Sequence, residues 1–183
     1  QIERQRGPSL QADAVVVATG GLSIPGTGSD GLGLSIIKAL GHTINRTYPA
    51  LTPLTATVRR KSDTMSGAPF VALSGISLPV TLTARAGTLE STSTGGFLFT
   101  HHGYSGPAVL DVSHVAVRSR AEMDAPARLV VRWTSLNDKD WESALGSRGS
   151  RTVLNAVAAQ LPRRLAEALI EFAGIDPRRT LSQ

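Results

Sequence analysis

The 183-residue sequence has no cysteine, which excludes disulfides, thiolate zinc sites and a Cys-x-x-Cys redox pair within it. Aromatic residues are scarce (two Trp, two Tyr, four Phe) and are not interleaved with basic residues, so no stacking platform for single strands is evident. No apolar run approaches the ~20 residues of a membrane-spanning helix, and no charged segment followed by an apolar one opens the chain. The expected compartment is the cytoplasm. A G-x-x-x-x-G-K-[ST] loop is missing, which argues against a nucleotide triphosphatase, and no G-x-G-x-x-G directly follows a strand. Paired carboxylates placed for acid–base work are missing too, and no His/Asp/Glu set stands at ligand spacing, so no metal site is expected.

What is present is the composition of a globular chain, 41% hydrophobic and 18% charged, long enough to bury a core. The formal charge is +5 and the isoelectric point near 10.4. Its arginines are scattered from Arg4 to Arg179. They read first as a solvated surface, then as a face attracting an anionic cofactor or substrate. A basic nucleic-acid-associated domain is the rival reading, and a non-catalytic binding domain another.

The chain is organised around residues 12–41. Ala14–Ala18 is continuously apolar and β-branched, as expected of a strand covered on both faces. Thr19-Gly20-Gly21 leaves it with a bare backbone that a ligand can approach. Ser29 or Asp30 is expected to cap a helix carrying Leu32, Ile36, Ile37 and Leu40 on one face, with Gly41 as its stop. Amides of that first turn are expected to face a phosphate or another anion. Thr43–Arg46 is a short strand candidate, and Tyr48–Pro53 an extended linker at which a domain boundary is placed.

From Leu54 the apolar period becomes two, as in half-buried antiparallel sheet, with strands expected at residues 54–59, 70–73, 76–84, 96–100 and 129–134. Pro79 points to an edge strand or bulge. Residues 60–68 and 86–94 read as loops. Pro107 opens a helix capped by Ser105 or Gly106, with Val109, Val112 and Ala116 inward. The remainder is helical, with a helix capped by Asp138 and closing at Gly146, a second around Val153–Leu161, and a third opened by Pro162 and stopped by Gly174. The fold class is therefore α+β, a small antiparallel barrel-like domain followed by helices.

Thr100–Pro107 is the most reactive-looking stretch, and His101, His102 and Tyr104 are the candidate catalytic residues. On a strand, adjacent histidines point to opposite faces and cannot easily share a metal. Ser105 fits a helix cap better than a nucleophile. Two readings stay open: a strand-to-helix turn that satisfies its own amides, or a helix N-terminus that faces a cleft and donates to an anionic oxygen. Tyr48 and Thr52 flank the linker, and Arg163 and Arg164 read as a solvated pair or an anion contact.

Four stretches in order carry a resemblance: Val17–Gly31, Gly41–Leu54, Phe99–Leu110 and Leu161–Leu165. Together they resemble the BaiN/YhiN-like bacterial flavoprotein family, the NAD(P)/FAD-dependent or aminoacetone-oxidase-type oxidoreductases. The first stretch looks like that family's second FAD-contacting motif, which implies cofactor contacts from Ala18, Thr19, Gly20, Gly21, Asp30 and Gly31. The resemblance implies an internal fragment of a flavoprotein with two dinucleotide-binding folds, lacking both terminal FAD-binding segments. Residues 1–48 would belong to the FAD-binding α/β domain. Residues 49–183 would form an inserted domain, barrel-like over 54–134 and helical over 137–175. The implied cofactor is FAD with NAD(P)H as a possible reductant, and the implied partner a small-molecule substrate rather than nucleic acid.

Overall fold

The computed structural model describes residues 11–55, 72–123, 126–146 and 150–182. The chain divides into two compact units, Gln1–Thr47 and Tyr48–Gln183.

In the smaller unit a short 3-10 turn, Pro25–Thr27, precedes helix α1, Leu32–Ala39. The helix ends where Gly41 was expected to stop it. Gly41 adopts φ 91°, its N–H donates to the Lys38 carbonyl (3.0 Å) and the His42 N–H donates to the Ile37 carbonyl (3.2 Å). That pair of bonds is a Schellman closure, which needs a left-handed residue at this position. The strand expected at Ala14–Ala18 does not form. Val15, Val16 and Val17 are 58%, 88% and 41% exposed, and no partner strand lies beside them among the described residues. A strand exists only through a hydrogen-bonding neighbour, and apolar composition alone does not supply one. For the same reason Thr43–Arg46 is irregular rather than extended in a sheet.

The larger unit is α+β. A curled five-stranded antiparallel half-barrel sheet is built from β1 (Leu54–Thr55), β2 (Ser77–Ala86), β3 (Leu89–Thr100), β4 (Gly103–Ser105) and β5 (Arg128–Arg132), in the order β1-β4-β3-β2-β5. Helices α2 (Pro107–Met123), α3 (Asp138–Leu145), α4 (Val153–Val157) and α5 (Arg163–Phe172) complete it. β2 alternates as its sequence requires, burying Leu78, Val80, Leu82, Ala84 and Ala86. These side chains meet Val109, Val112 and Val115 of α2, with Phe97, Phe99 and Leu165 in the same core.

Several expectations are corrected. Residues 89–94 are strand, not loop. The run Leu89-Glu90-Ser91-Thr92-Ser93-Thr94 is polar because its outer face is a threonine ladder, with Thr81 paired to Thr94 (3.0 Å) and Thr83 to Thr92 (2.9 Å). Pro79 marks no bulge: it lies opposite Gly96 in unbroken register with β3. It stands in the part of β2 that β5 does not flank, where β2 is locally the edge of the sheet, as a proline there requires. Ala72 and Leu73 are in a turn; Phe70 and Val71, residues 56–59 of the first strand and the loop 60–68 lie outside the described residues. Asn137 rather than Asp138 caps α3: its side chain accepts from the Asp140 N–H, and Asp140 accepts in return from the Asn137 N–H, each at 3.0 Å. Pro162 precedes α5 as its cap residue, and Gly174 closes that helix with the same two-bond pattern as Gly41.

Gly106 joins β4 to α2 at φ 97°, and its carbonyl accepts from the Val109 and Leu110 amides. A Cβ there would lie 2.5 Å from the Gly96 carbonyl oxygen. Gly75 also has positive φ, 89°, but nothing lies within 4 Å of its Cβ position. Denaturant unfolding of the two alanine variants should separate strain from clash. Gly75→Ala should cost about 1–2 kcal/mol for backbone conformation alone, and Gly106→Ala about 2–4 kcal/mol once the clash with β3 is added. Equal losses would show that α2 can move off β3 at no cost.

Candidate functional site

The residues expected to contact a cofactor lie together in the smaller unit. Gly20 takes φ 75°, and a Cβ there would stand 2.9 Å from Ser29 Oγ. Gly31 takes φ 82°, and a Cβ there would stand 2.6 Å from Leu22 Cδ2. The turn is drawn onto the start of α1 by the Gly31 N–H, which donates to the Gly21 carbonyl (3.1 Å). Gly33 completes this closeness, since a Cβ on it would meet Thr19 Oγ1 at 1.8 Å. Gly21, by contrast, has open space around its Cβ position, so its backbone edge is approachable. An open cleft of about 260 Å³ adjoins, lined by Val17, Ala18, Thr19 and Gly20 on one side and by Leu34 and Ile37 of α1 on the other.

Asp30 accepts the Leu32 N–H at 3.0 Å through Oδ1. Gly31, not Ser29 or Asp30, holds the backbone cap position of α1, while the Asp30 side chain satisfies the first-turn amide. The helix start thus already carries the protein's own carboxylate, which repels a phosphate and suits a hydroxyl-bearing group.

The other candidates are separated from one another. His101 and His102 form the exposed two-residue tip of the β3–β4 hairpin rather than part of a strand. Tyr104, in the middle of β4, joins an aromatic cluster with Phe97 (ring centroids 5.4 Å apart), Phe99 (5.9 Å) and, through them, Trp133. The start of α2 is covered by β3: Ala108 and Val109 are fully buried, so these amides do not face an open cleft. Among the described residues no group of His, Asp or Glu can hold a metal ion. Tyr48 and Thr52 are tied to α2. The Tyr48 hydroxyl donates to Glu122 Oε1 (2.7 Å), and the Thr52 N–H donates to Ser113 Oγ (3.1 Å). Arg163 pairs with Glu167 (3.0 Å) and Arg164 donates to the Ala72 carbonyl.

Sequence reasoning missed a groove in the larger unit. It measures about 530 Å³, lies over the uncovered end of β2 and is lined by Thr81, Thr94, Arg132, Trp133, Ser135 and Gln160 among others. A second cavity, about 260 Å³, shares Arg132 and Trp133 in its lining and is bounded by Asp138 and Trp141 of α3. No spacing rule joins residues so distant in the chain. The available signal was that both tryptophans of the sequence flank one short segment.

Burial holds the Tyr104 phenol above the usual tyrosine range. The folded state therefore favours the neutral phenol, and its contribution to stability is complete below the unfolded value of about 10 and lost as pH rises through the folded one. As pH rises past the unfolded tyrosine value of about 10, melting temperature should fall by more in the wild type than in Tyr104→Phe. Parallel melting curves would place the phenol in solvent.

Residues 48–183 match the family model described as HI0933-like protein barrel and H2TH domain. The chain is similar to the ribosomal RNA dihydrouridine synthase of Escherichia coli K12, 31% identical over 173 residues, which is 92% of this chain and 39% of that protein. It is similar to the protein of the same name in Haemophilus influenzae, 42% identical over 104 residues, 57% of this chain and 23% of the relative. It is also similar to the 3-dehydro-bile acid delta(4,6)-reductase of Clostridium scindens, 31% identical over 115 residues, 62% of this chain and 26% of the relative. The chain spans between about a quarter and two fifths of the length of the curated relatives it matches. With the family's barrel and helical domain matched from residue 48 to residue 183, the chain belongs to the HI0933-like family.

Proposed function

We propose that this chain is a segment of an FAD-dependent reductase that saturates a carbon–carbon double bond conjugated to a carbonyl, with a uracil base in RNA as its substrate. The observation that carries the reading is the likeness to the Escherichia coli protein named a ribosomal RNA dihydrouridine synthase, which extends over 92% of the chain. Dihydrouridine differs from uridine by two hydrogens across C5=C6, a bond conjugated to the C4 carbonyl. The Clostridium relative is named for reduction of a conjugated steroid system. One reaction class serves both: a hydride goes to the carbon remote from the carbonyl, and a proton to the carbon beside it. The net charge of +5 is favourable to an RNA partner. This departs from the small-molecule substrate expected above, which stays as the second reading on the strength of the Clostridium relative.

The residues of the smaller unit fit part of such a cofactor. Gly21 offers an unobstructed backbone edge, Thr19 and Gly20 border the adjoining cleft, and Asp30 presents a carboxylate that can accept from a ribityl or ribose hydroxyl. A cleft of about 260 Å³ is below the usual range for a whole ligand site, ~300–1,000 Å³, so this segment would hold only a portion of FAD. Reduced FAD, when bound, supplies the hydride, with NAD(P)H proposed as the electron source.

In the full-length protein, Gly20→Val should raise the FAD dissociation constant at least about tenfold, because the side chain must enter a left-handed position beside Ser29. Equal constants by FAD titration would remove Thr19-Gly20-Gly21 from the cofactor site. The same protein, given FAD and NADPH or NADH, should add two hydrogens to a uridine of ribosomal RNA, read by mass spectrometry of the nucleosides. Reduction of a 3-dehydro delta(4,6) bile acid instead would establish the second reading. Reduction of neither would overturn the proposal.

A further inference from the structure

Three strands carry one row of side chains across the outer face of the sheet. Thr94 of β3 stands opposite Thr81 of β2, and Thr81 stands opposite Arg132 of β5. Side chains opposed in this way are neighbours on one face. The two threonine hydroxyls bond to each other at 3.0 Å, which uses one of their two O–H protons and leaves the second to donate elsewhere. The Arg132 guanidinium is exposed and makes no hydrogen bond or ion pair among the described residues. All three side chains border the groove of about 530 Å³, together with the Ser135 hydroxyl and the Gln160 amide. Apolar surface adjoins this row. Pro79, two residues from Thr81, lies on the same face of β2 and is exposed there. Leu136 and Pro162 reach the groove from the segments that precede α3 and α5. Among the described residues no Asp or Glu lines the groove, and Arg132 is its single cation.

We infer that this groove binds a small organic carboxylate, its head at Arg132 and its apolar body against Pro79, Leu136 and Pro162. The planar guanidinium fork matches a carboxylate through two parallel N–H···O bonds. A carboxylate has further lone pairs to satisfy, and the spare threonine O–H, Ser135 and Gln160 are neutral donors placed around the same cation. Charge decides between this head group and a phosphate monoester. One guanidinium balances a monoanion, whereas a dianion would keep a charge uncompensated, with no second cation in the lining. The apolar residues distinguish an organic acid from an inorganic anion, which has no surface to lay on them. A volume of about 530 Å³ falls within the usual range for small-molecule sites, ~300–1,000 Å³. The row itself is held by paired strands, so head-group geometry is set by the sheet rather than by a loop. This site belongs to the larger unit alone, and it does not rest on the identity of the reduced substrate.

Calorimetric titration of the 183-residue protein with octanoate should saturate at one molecule per chain. Acetate, which keeps the head, and octan-1-ol, which keeps the body, should each bind at least about tenfold more weakly. Arg132→Gln should weaken octanoate at least about tenfold through loss of the charge-assisted pair. Gln160→Glu should also weaken it about tenfold, by setting a like charge in the lining. Arg128→Gln, at the far end of β5 and outside the groove, should change affinity by less than about twofold at physiological ionic strength. Arg132 and Gln160 are both exposed, so their variants should melt with the wild type, and either one that folds decides alone. Octanoate affinity unchanged in those variants would place the ligand elsewhere, such as on the exposed apolar side chains of the smaller unit, and overturn the site. Arg128→Gln as damaging as Arg132→Gln would reduce the effect to net charge and overturn it too. Equal affinity for octan-1-ol, tighter binding of inorganic phosphate, or no saturable binding by the wild type would each overturn the carboxylate assignment.

Discussion

The larger unit depends on how closely α2 can lie on β3. One glycine is required for it. A Cβ on Gly106 would collide with the Gly96 carbonyl, while a Cβ on Gly95 or Gly96 would reach the start of α2 at ordinary contact distance (3.5 and 3.4 Å). With no side chains between helix and strand, Ala108, Val109, Val112 and Val115 reach the inner face of the sheet and bury completely. The helix position then dictates the path of the entering chain. Ser113 is fully buried, donates to the Leu110 carbonyl (2.7 Å) and accepts the Thr52 N–H, while Glu122 takes the Tyr48 hydroxyl. The linker is thus fixed at both ends by one helix, and Leu51 between them is held at φ 57°, a conformation that a branched residue adopts only under such constraint.

Features governed by neighbours in sequence were legible. The glycine stops at Gly41 and Gly174, the proline start of α2 and the alternation of β2 are local consequences of backbone freedom and side-chain period. Where structure depends on a distant partner, the reading failed in an intelligible direction. Ala14–Ala18 has the composition of a central strand and no strand to pair with among the described residues, whereas Leu89–Thr94 has the composition of a loop and pairs along its whole length with β2. The cap of α3 slipped by one residue because Asn137 and Asp138 both qualify, and only the reciprocal bond with Asp140 chooses between them.

The same division applies to the sites. Thr19–Gly21 and Asp30–Gly31 are close in sequence, and the resemblance named them together; the bond that joins them, Gly31 N–H to the Gly21 carbonyl, and the role of Asp30 were not foreseen. Its carboxylate bonds the Leu32 amide, so the turn offers a hydrogen-bond acceptor and bare backbone rather than an anion cradle. His101, His102 and Tyr104 show the opposite failure. They are adjacent in sequence, but a two-residue hairpin turn sends the histidines to solvent and Tyr104 to the aromatic cluster. Adjacency in the chain implied a shared site that strand geometry divides.

The groove has its origin in where β5 stops. The register of β5 on β2 runs from Arg128 opposite Arg85 to Arg132 opposite Thr81. One further step pairs Trp133 with Val80, and the next sets Thr134 against Pro79, which has no N–H to give to a ladder. The chain leaves the sheet there, passes through Trp133–Leu136 and enters α3 at its Asn137 cap. On the other side β2 continues undisturbed, Pro79 facing Gly96 of β3. One proline where β2 becomes locally an edge is therefore consistent with a lopsided ladder, bonded on one side and released on the other. The release exposes the end of β2 together with the side chains that β5 carries away from it. Replacing the ladder by open surface at that point also places Arg132, the last paired residue, at the lip of the groove, where no carboxylate across a strand neutralises it.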